Sequence, residues 1–206
     1  MNLDSVSTDT LAKTLLTRPD VLDQNGMLVF PVYQLFCKYG VLPCVDGIAV
    51  RSNNKNELEA MAIRRGTGCF KGRLCSIGGR LLHGESYENC LRRQFRSDVG
   101  CEIELLRPWD QPVGVGQYAP LKDPLNDPWP KDFGPEDNKH TVSMYEPVRL
   151  LGVPQFGTTT HGGQEAAKVE WYTLRTLPGP ENFGYDQHPR FVEILQAAES
   201  GQFSVP

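Results

Sequence analysis

Residues 79–100 read GRLLHGESYENCLRRQFRSDVG, and the way this stretch divides sets the fold. Its first part continues from RLCSIG as a short strand running into a glycine loop. Its second part, from Ser86, reads as a helix that stops at Gly100, since glycine takes the left-handed backbone a helix end requires. Tyr87, Cys90, Leu91 and Phe95 give that helix one apolar side and leave its arginines elsewhere. A strand, a glycine loop and an amphipathic helix in this order describe a helix laid across a sheet.

Working outward, VDGIAVRS (45–52) and ELEAMAIRR (57–65) read as two strands around the polar turn NNKN. Downstream, EIELL (102–106), VGVGQY (113–118), HTVSMYEPVRLL (140–151) and KVEWYTL (168–174) are strand candidates. A proline-rich insertion at about 120–137 interrupts them and is too long for a hairpin loop. HPRFVEILQAAESG (188–201) predicts a terminal helix with Phe191, Ile194 and Leu195 inward. Ahead of all this, Thr8 precedes Leu11, Leu15 and Leu16 as a capped helix stopped by Pro19, and a second helical piece runs from Pro31 to Tyr39. These readings predict an N-terminal helical extension over 1–40 and a main domain over 41–206. The expected fold class is α+β, a sandwich of helices around a mixed β-sheet.

Composition narrows the function classes. The 206 residues carry 21 basic and 25 acidic side chains, a net charge of −4, so nothing in the overall balance argues for nucleic acid or an anionic membrane as partner. Six cysteines show neither a CxxC pair nor a zinc-ligand rhythm and read as reduced packing thiols. No basic start with an apolar core and no run of about 18 apolar residues is present, so a soluble cytoplasmic protein is expected.

The segment 79–100 resembles the Nudix box, G-x5-E-x7-R-E-U-x-E-E-x-G with U a bulky apolar residue. Gly79, Glu85, Arg93, Phe95, Asp98 and Gly100 fall in register, and the resemblance implies a Nudix-type α/β/α sandwich. Two box glutamates are replaced, by Gln94 and Ser97. Their work in the family is to hold hard divalent cations through oxygen ligands on one helical face. One remaining carboxylate suits a single ion rather than a cluster.

That depletion is similar to the GDP-mannose mannosyl hydrolase branch, which uses one magnesium ion and attacks the sugar carbon. The resemblance implies hydrolysis of a nucleoside diphosphate sugar, with Mg2+ as cofactor and Mn2+ as an alternative, and a homodimer. It implies that Asp46 and Arg65 support the departing diphosphate and that Arg80 reaches a phosphate. Metal ligation falls to Asp98, the main-chain carbonyl of Gly78 and a late-loop residue six before a strand tryptophan. Counting back from Trp171 gives Glu165. The branch follows that ligand with a histidine base, where this chain has Ala166, so Glu165 or His161 takes the base role. Arg93, eight residues beyond Glu85, is read as pairing with it and fixing the glycine loop to the helix. Gly79, Glu85, Arg93 and Gly100 form the structural frame of the box.

Each assignment has a plainer counterpart. Asp98 could be a surface helix residue, Asp46 a satisfied polar group, and Arg65 beside Arg64 an exposed pair. Arg92 and Arg96 read as solvated helix charges outside the site. Two other functions stay open: a Nudix pyrophosphatase cutting a phosphoanhydride, and a module that kept the fold and nucleotide binding but lost the chemistry.

Overall fold

The computed structural model describes Thr10 and residues 40–67, 70–118, 140–155 and 166–205. The two expected N-terminal helices, Thr10 apart, the insertion at 120–137, His161 and Glu165 lie outside the described residues.

The order is β1 (Val41–Ser52), β2 (Leu58–Arg65), β3 (Leu74–Cys75), β4 (Ile77–Arg80), α1 (Tyr87–Val99), β5 (Glu102–Leu105), β6 (Gly114–Tyr118), β7 (His140–Leu151), β8 (Ala166–Tyr172) and α2 (His188–Glu199). The strands join in one sheet with a path β3-β2-β1-β7-β5, to which β4 adds on β1, β6 on β7 and β8 on β2. β1 and β7 run parallel while the other ladders are antiparallel. The sheet is therefore mixed, as the sequence predicts.

Alternation along the strands sends side chains to two faces. Val45, Met61, Ile63, Ile77 and Val148 face α1 and pack with Cys90, Leu91, Phe95 and Val99. Ile48, Ala60, Ala62, Leu74 and Tyr145 face α2 and pack with Phe191, Ile194 and Leu195. Among the described residues one helix covers each face, which makes the α/β/α sandwich. Gly47 lets α1 approach closely: a Cβ there would sit 2.6 Å from Phe95 Cε2 and 3.1 Å from Leu91 Cδ2.

Both helix ends of α1 have local causes. Ser86 caps the start, its Oγ accepting from the Asn89 N–H at 3.2 Å. Gly100 ends it at φ 64°, donating its N–H back to the Arg96 carbonyl at 3.1 Å. One expectation needs correction. Gly78 and Gly79 do not form a loop but are strand residues of β4, in register with Asp46 and Val45 of β1. The loop proper runs from Leu81 to Ser86. Cys44, Cys75, Cys90 and Cys101 are free thiols, and burial pushes Cys90 up to about 12. No helix among the described residues is long and apolar enough to cross a membrane.

Candidate active site

The loop between β4 and α1 is closed by one carboxylate and one guanidinium. Arg93 donates Nε to Glu85 Oε1 at 2.7 Å and Nη2 to Oε2 at 2.8 Å, a two-pronged pair. The same Nη2 donates to the Arg80 carbonyl at 3.1 Å, and Glu85 Oε2 accepts from the Leu82 N–H at 3.0 Å. Strand end, loop and helix are thereby locked together. Burial alone would raise the Glu85 carboxyl, but the hydrogen bonds from Arg93 and Leu82 with the Arg93 charge outweigh it and hold the group below its usual range.

Further along α1, Gln94 lies with its amide directly against Gly79, so a side chain at Gly79 would collide with it. Cys90 Sγ donates to the Arg80 carbonyl at 3.4 Å. Asp98 belongs to the buried side of α1, 5% exposed, with Phe95 and Val99 as neighbours on that side. Its charge contributes to the raised pKa of Arg93, behind the larger effect of the Glu85 hydrogen bond. Arg92 and Arg96 are occupied elsewhere: Arg92 pairs with Glu88 at 2.7 Å and donates to the Ile103 carbonyl at 2.6 Å, and Arg96 pairs with Glu102.

Asp46 sits on the opposite face of the sheet from α1. Its Oδ1 accepts from Ser76 Oγ at 2.6 Å and, at 3.5 Å, from Gln187 Nε2, while Oδ2 accepts from Ser143 Oγ. Gln187 Oε1 in turn accepts the Ser76 N–H at 2.9 Å. This carboxylate ties β1, β7, the residue between β3 and β4, and the residue just before α2. The sheet thus separates Asp46 from Asp98 on α1. Above the network, the Tyr118 and Tyr145 hydroxyls meet at 2.7 Å; burial first, and then the charge of Asp46 among other effects, pushes Tyr145 far above its ordinary value.

Arg65 ends β2, where the register against β8 slips between Arg64 and Arg65. Its guanidinium carbon lies 5.7 Å from the Tyr185 ring centre, whereas Arg64 is held by Glu170 at 2.6 Å. Arg80 closes β4, in register with Cys44. Gly79, Glu85, Arg93 and Gly100 are thus assembled around one loop and helix, Arg80 joins them through its backbone, and Asp46 and Arg65 belong to other surroundings.

No family model matches the sequence, and no curated protein does. Solved structures do match. A possible asymmetric diadenosine tetraphosphate hydrolase from Jonesia denitrificans is 20% identical with a TM-score of 0.57, over 77% of this chain and 94% of that one. A NUDIX family hydrolase from Clostridium perfringens is 13% identical with a TM-score of 0.52, over 75% and 95%. A UDP-X diphosphatase is 15% identical with a TM-score of 0.52, over 94% and 79%. The chain has the Nudix fold.

Within that fold, the box helix of a Nudix hydrolase would be expected to hold a divalent cation. Here the described residues contain no group of three or more His, Cys, Asp or Glu side chains able to hold one. Asp98 is the single carboxylate left at the three acidic box positions, and Gln94 is turned onto Gly79. The described residues therefore do not make a metal site by themselves.

One acidic residue escaped the sequence reading. Glu146 is 2% exposed in the middle of β7, and neither of its carboxylate oxygens has a hydrogen-bond partner among the described residues. Burial pushes it up to about 8 from an ordinary 4.5, opposed by the charge of Arg107 and aided by that of Asp110. The signal was available: a glutamate amid HTVSMYEPVRLL, a strand with core on both faces, has no solvent side to turn to.

Proposed function

We propose that this chain is a Nudix hydrolase acting on a nucleotide whose diphosphate links a nucleoside to a second group. The observation that carries the reading is the Glu85–Arg93 pair closing the box loop onto α1, set within the Nudix fold. Fold alone hosts many functions, whereas this frame gives the fold a loop and helix held in one geometry beside Arg80. The name of one structural neighbour, a UDP-X diphosphatase, fits this substrate class, and that of another, a possible diadenosine tetraphosphate hydrolase, fits the wider class of nucleotides joined through a phosphate chain.

In the finer form of the proposal the substrate is a nucleoside diphosphate sugar, as the depleted box suggests. Arg80, and Arg65 from the end of β2, offer planar guanidinium donors that would neutralise charge on a departing diphosphate. Arg93 and Glu85 act by position, keeping the loop in place. Magnesium dependence, a base at Glu165 or His161, and a homodimer belong to this finer proposal. Asp46 supports it only indirectly, because its oxygens are committed to Ser76, Ser143 and Gln187.

A second reading is favoured by one observation: Gln94 and Ser97 stand where the box carries acids, which fits a nucleotide-binding module without turnover. One experiment separates the readings. Nucleotide sugars and dinucleotides are incubated in oxygen-18 water with magnesium, with manganese or with chelator, and products are analysed by mass. Label in the sugar supports attack at carbon, and label in phosphate supports phosphoanhydride cleavage. Absence of turnover with nucleotide-induced thermal stabilisation supports the module. Neither turnover nor stabilisation across the panel sinks the proposal.

A further inference from the structure

β7 has two antiparallel partners in succession along one edge: β6 against residues 141–145 and β5 against residues 148–151. Glu146 and Pro147 occupy the break between them. The break is spanned by the loop from Leu106 to Val113, pinned at its ends by the Leu106 N–H donating to the Pro147 carbonyl and the Val113 N–H to the Tyr145 carbonyl, both at 3.0 Å. On its other side Glu146 is in register with Gly47, over which Phe95 and Leu91 pack. Glu146 therefore faces α1, beneath a loop and beside a residue with no side chain.

Among the described residues, the charged groups around it come almost wholly from the loop. Arg107 and Asp110 are the two whose charges act on it. On α1, Glu88 and Arg92 pair with each other; on the flanking strands, Glu104 pairs with Arg149; β1 offers Gly47 alone. The loop also carries Trp109, 53% exposed, whose ring stacks on Tyr87 with centres 6.4 Å apart and planes 16° apart. Tyr87 opens α1, two residues beyond Glu85.

A carboxyl buried this completely, with neither oxygen hydrogen-bonded among the described residues, is stable there without its charge. We propose that Glu146 is a proton-operated latch for the Leu106–Val113 loop: uncharged, it lies beneath the closed loop, and on losing its proton to solvent it draws Arg107 inward and unseats Trp109 from Tyr87. The half-exposed tip and the pinned ends of the loop allow this movement without unzipping β5 or β6. Because the loop leans on the first turn of α1, the latch reaches the helix that carries Arg93. Its titration falls between neutral and mildly alkaline pH, where burial has moved the carboxyl.

The test reads Trp109 directly, in the 206-residue chain carrying W129F and W171F so that Trp109 is its sole tryptophan. Emission and iodide quenching are followed from about pH 6 to about pH 10, with far-ultraviolet circular dichroism to confirm that the fold persists. A single transition centred near 8 is expected, absent in E146Q, displaced to higher pH in R107M and to lower pH in D110N. E146M serves in the same role if the glutamine variant fails to fold. A flat wild-type profile, or a transition that survives removal of the Glu146 carboxyl, overturns the proposal.

Discussion

Glu85 and Arg93 show how much one pair of side chains can organise. Arg93 satisfies both oxygens of Glu85 and the Arg80 carbonyl at once, and a lysine, with a point charge and no planar fork, can reach only part of that set. We expect Arg93→Lys to lower unfolding stability by about 1–3 kcal/mol, measured by urea denaturation. An unchanged midpoint would mean the loop is held by its backbone alone. This pair was legible in the sequence, because eight residues of helix and loop fix the distance between its members. The partners of Asp46 were not. They lie 30, 97 and 141 residues away in Ser76, Ser143 and Gln187, and no local pattern brings them together. Asp46→Ala removes the acceptor for all three and is expected to cost about 2–4 kcal/mol, whereas Ser143→Ala, which leaves the carboxylate its other donors, should cost less. Equal losses from the two variants would argue that the network does not centre on Asp46.

Among the described strands, β4 was the one misread, and its two glycines explain why. Paired glycines before a helix look like a loop because neither has a side chain to mark a face. Their strand character comes from β1, which supplies the ladder. They differ in what they touch. A Cβ on Gly78 would meet the Val45 carbonyl and lie 2.5 Å from Asp46 Oδ1, both fixed in β1, while one on Gly79 would meet only the mobile end of Gln94. Gly78→Ala should therefore lower stability by about 2–4 kcal/mol and Gly79→Ala by less than half as much, as thermal denaturation would read. The reverse ranking would mean that Gln94 is held rigidly. By contrast, α1 was legible end to end, since Ser86, the apolar side and Gly100 are all local signals.

At the scale of the whole molecule, apolar stripes in two helices and seven or more strand patterns predict a sandwich, but not the strand order. The parallel pairing of β1 with β7 joins residues about 100 apart, and only that pairing places Glu146 in the core. The consequence is a dependence of global stability on pH. Glu146 keeps its proton in the folded state up to about 8 but has an ordinary value of 4.5 when exposed. Between those values the folded chain binds the proton and the unfolded chain does not, so stability falls as pH rises through that window and then levels off. Glu85 acts with the opposite sign: its lowered value stabilises the fold above the ordinary range and is lost on acidification. The two effects occupy different windows, so the difference between Glu146→Met and wild type isolates the first. That difference should be small and flat below 4.5, grow through neutrality to about 2–4 kcal/mol in favour of the methionine, and flatten above 8. Loop opening relieves part of the burial penalty, which keeps the plateau below the full value of the proton shift. Urea midpoints of both proteins across the range provide the measurement, and parallel curves would show that the Glu146 carboxyl is solvated in solution.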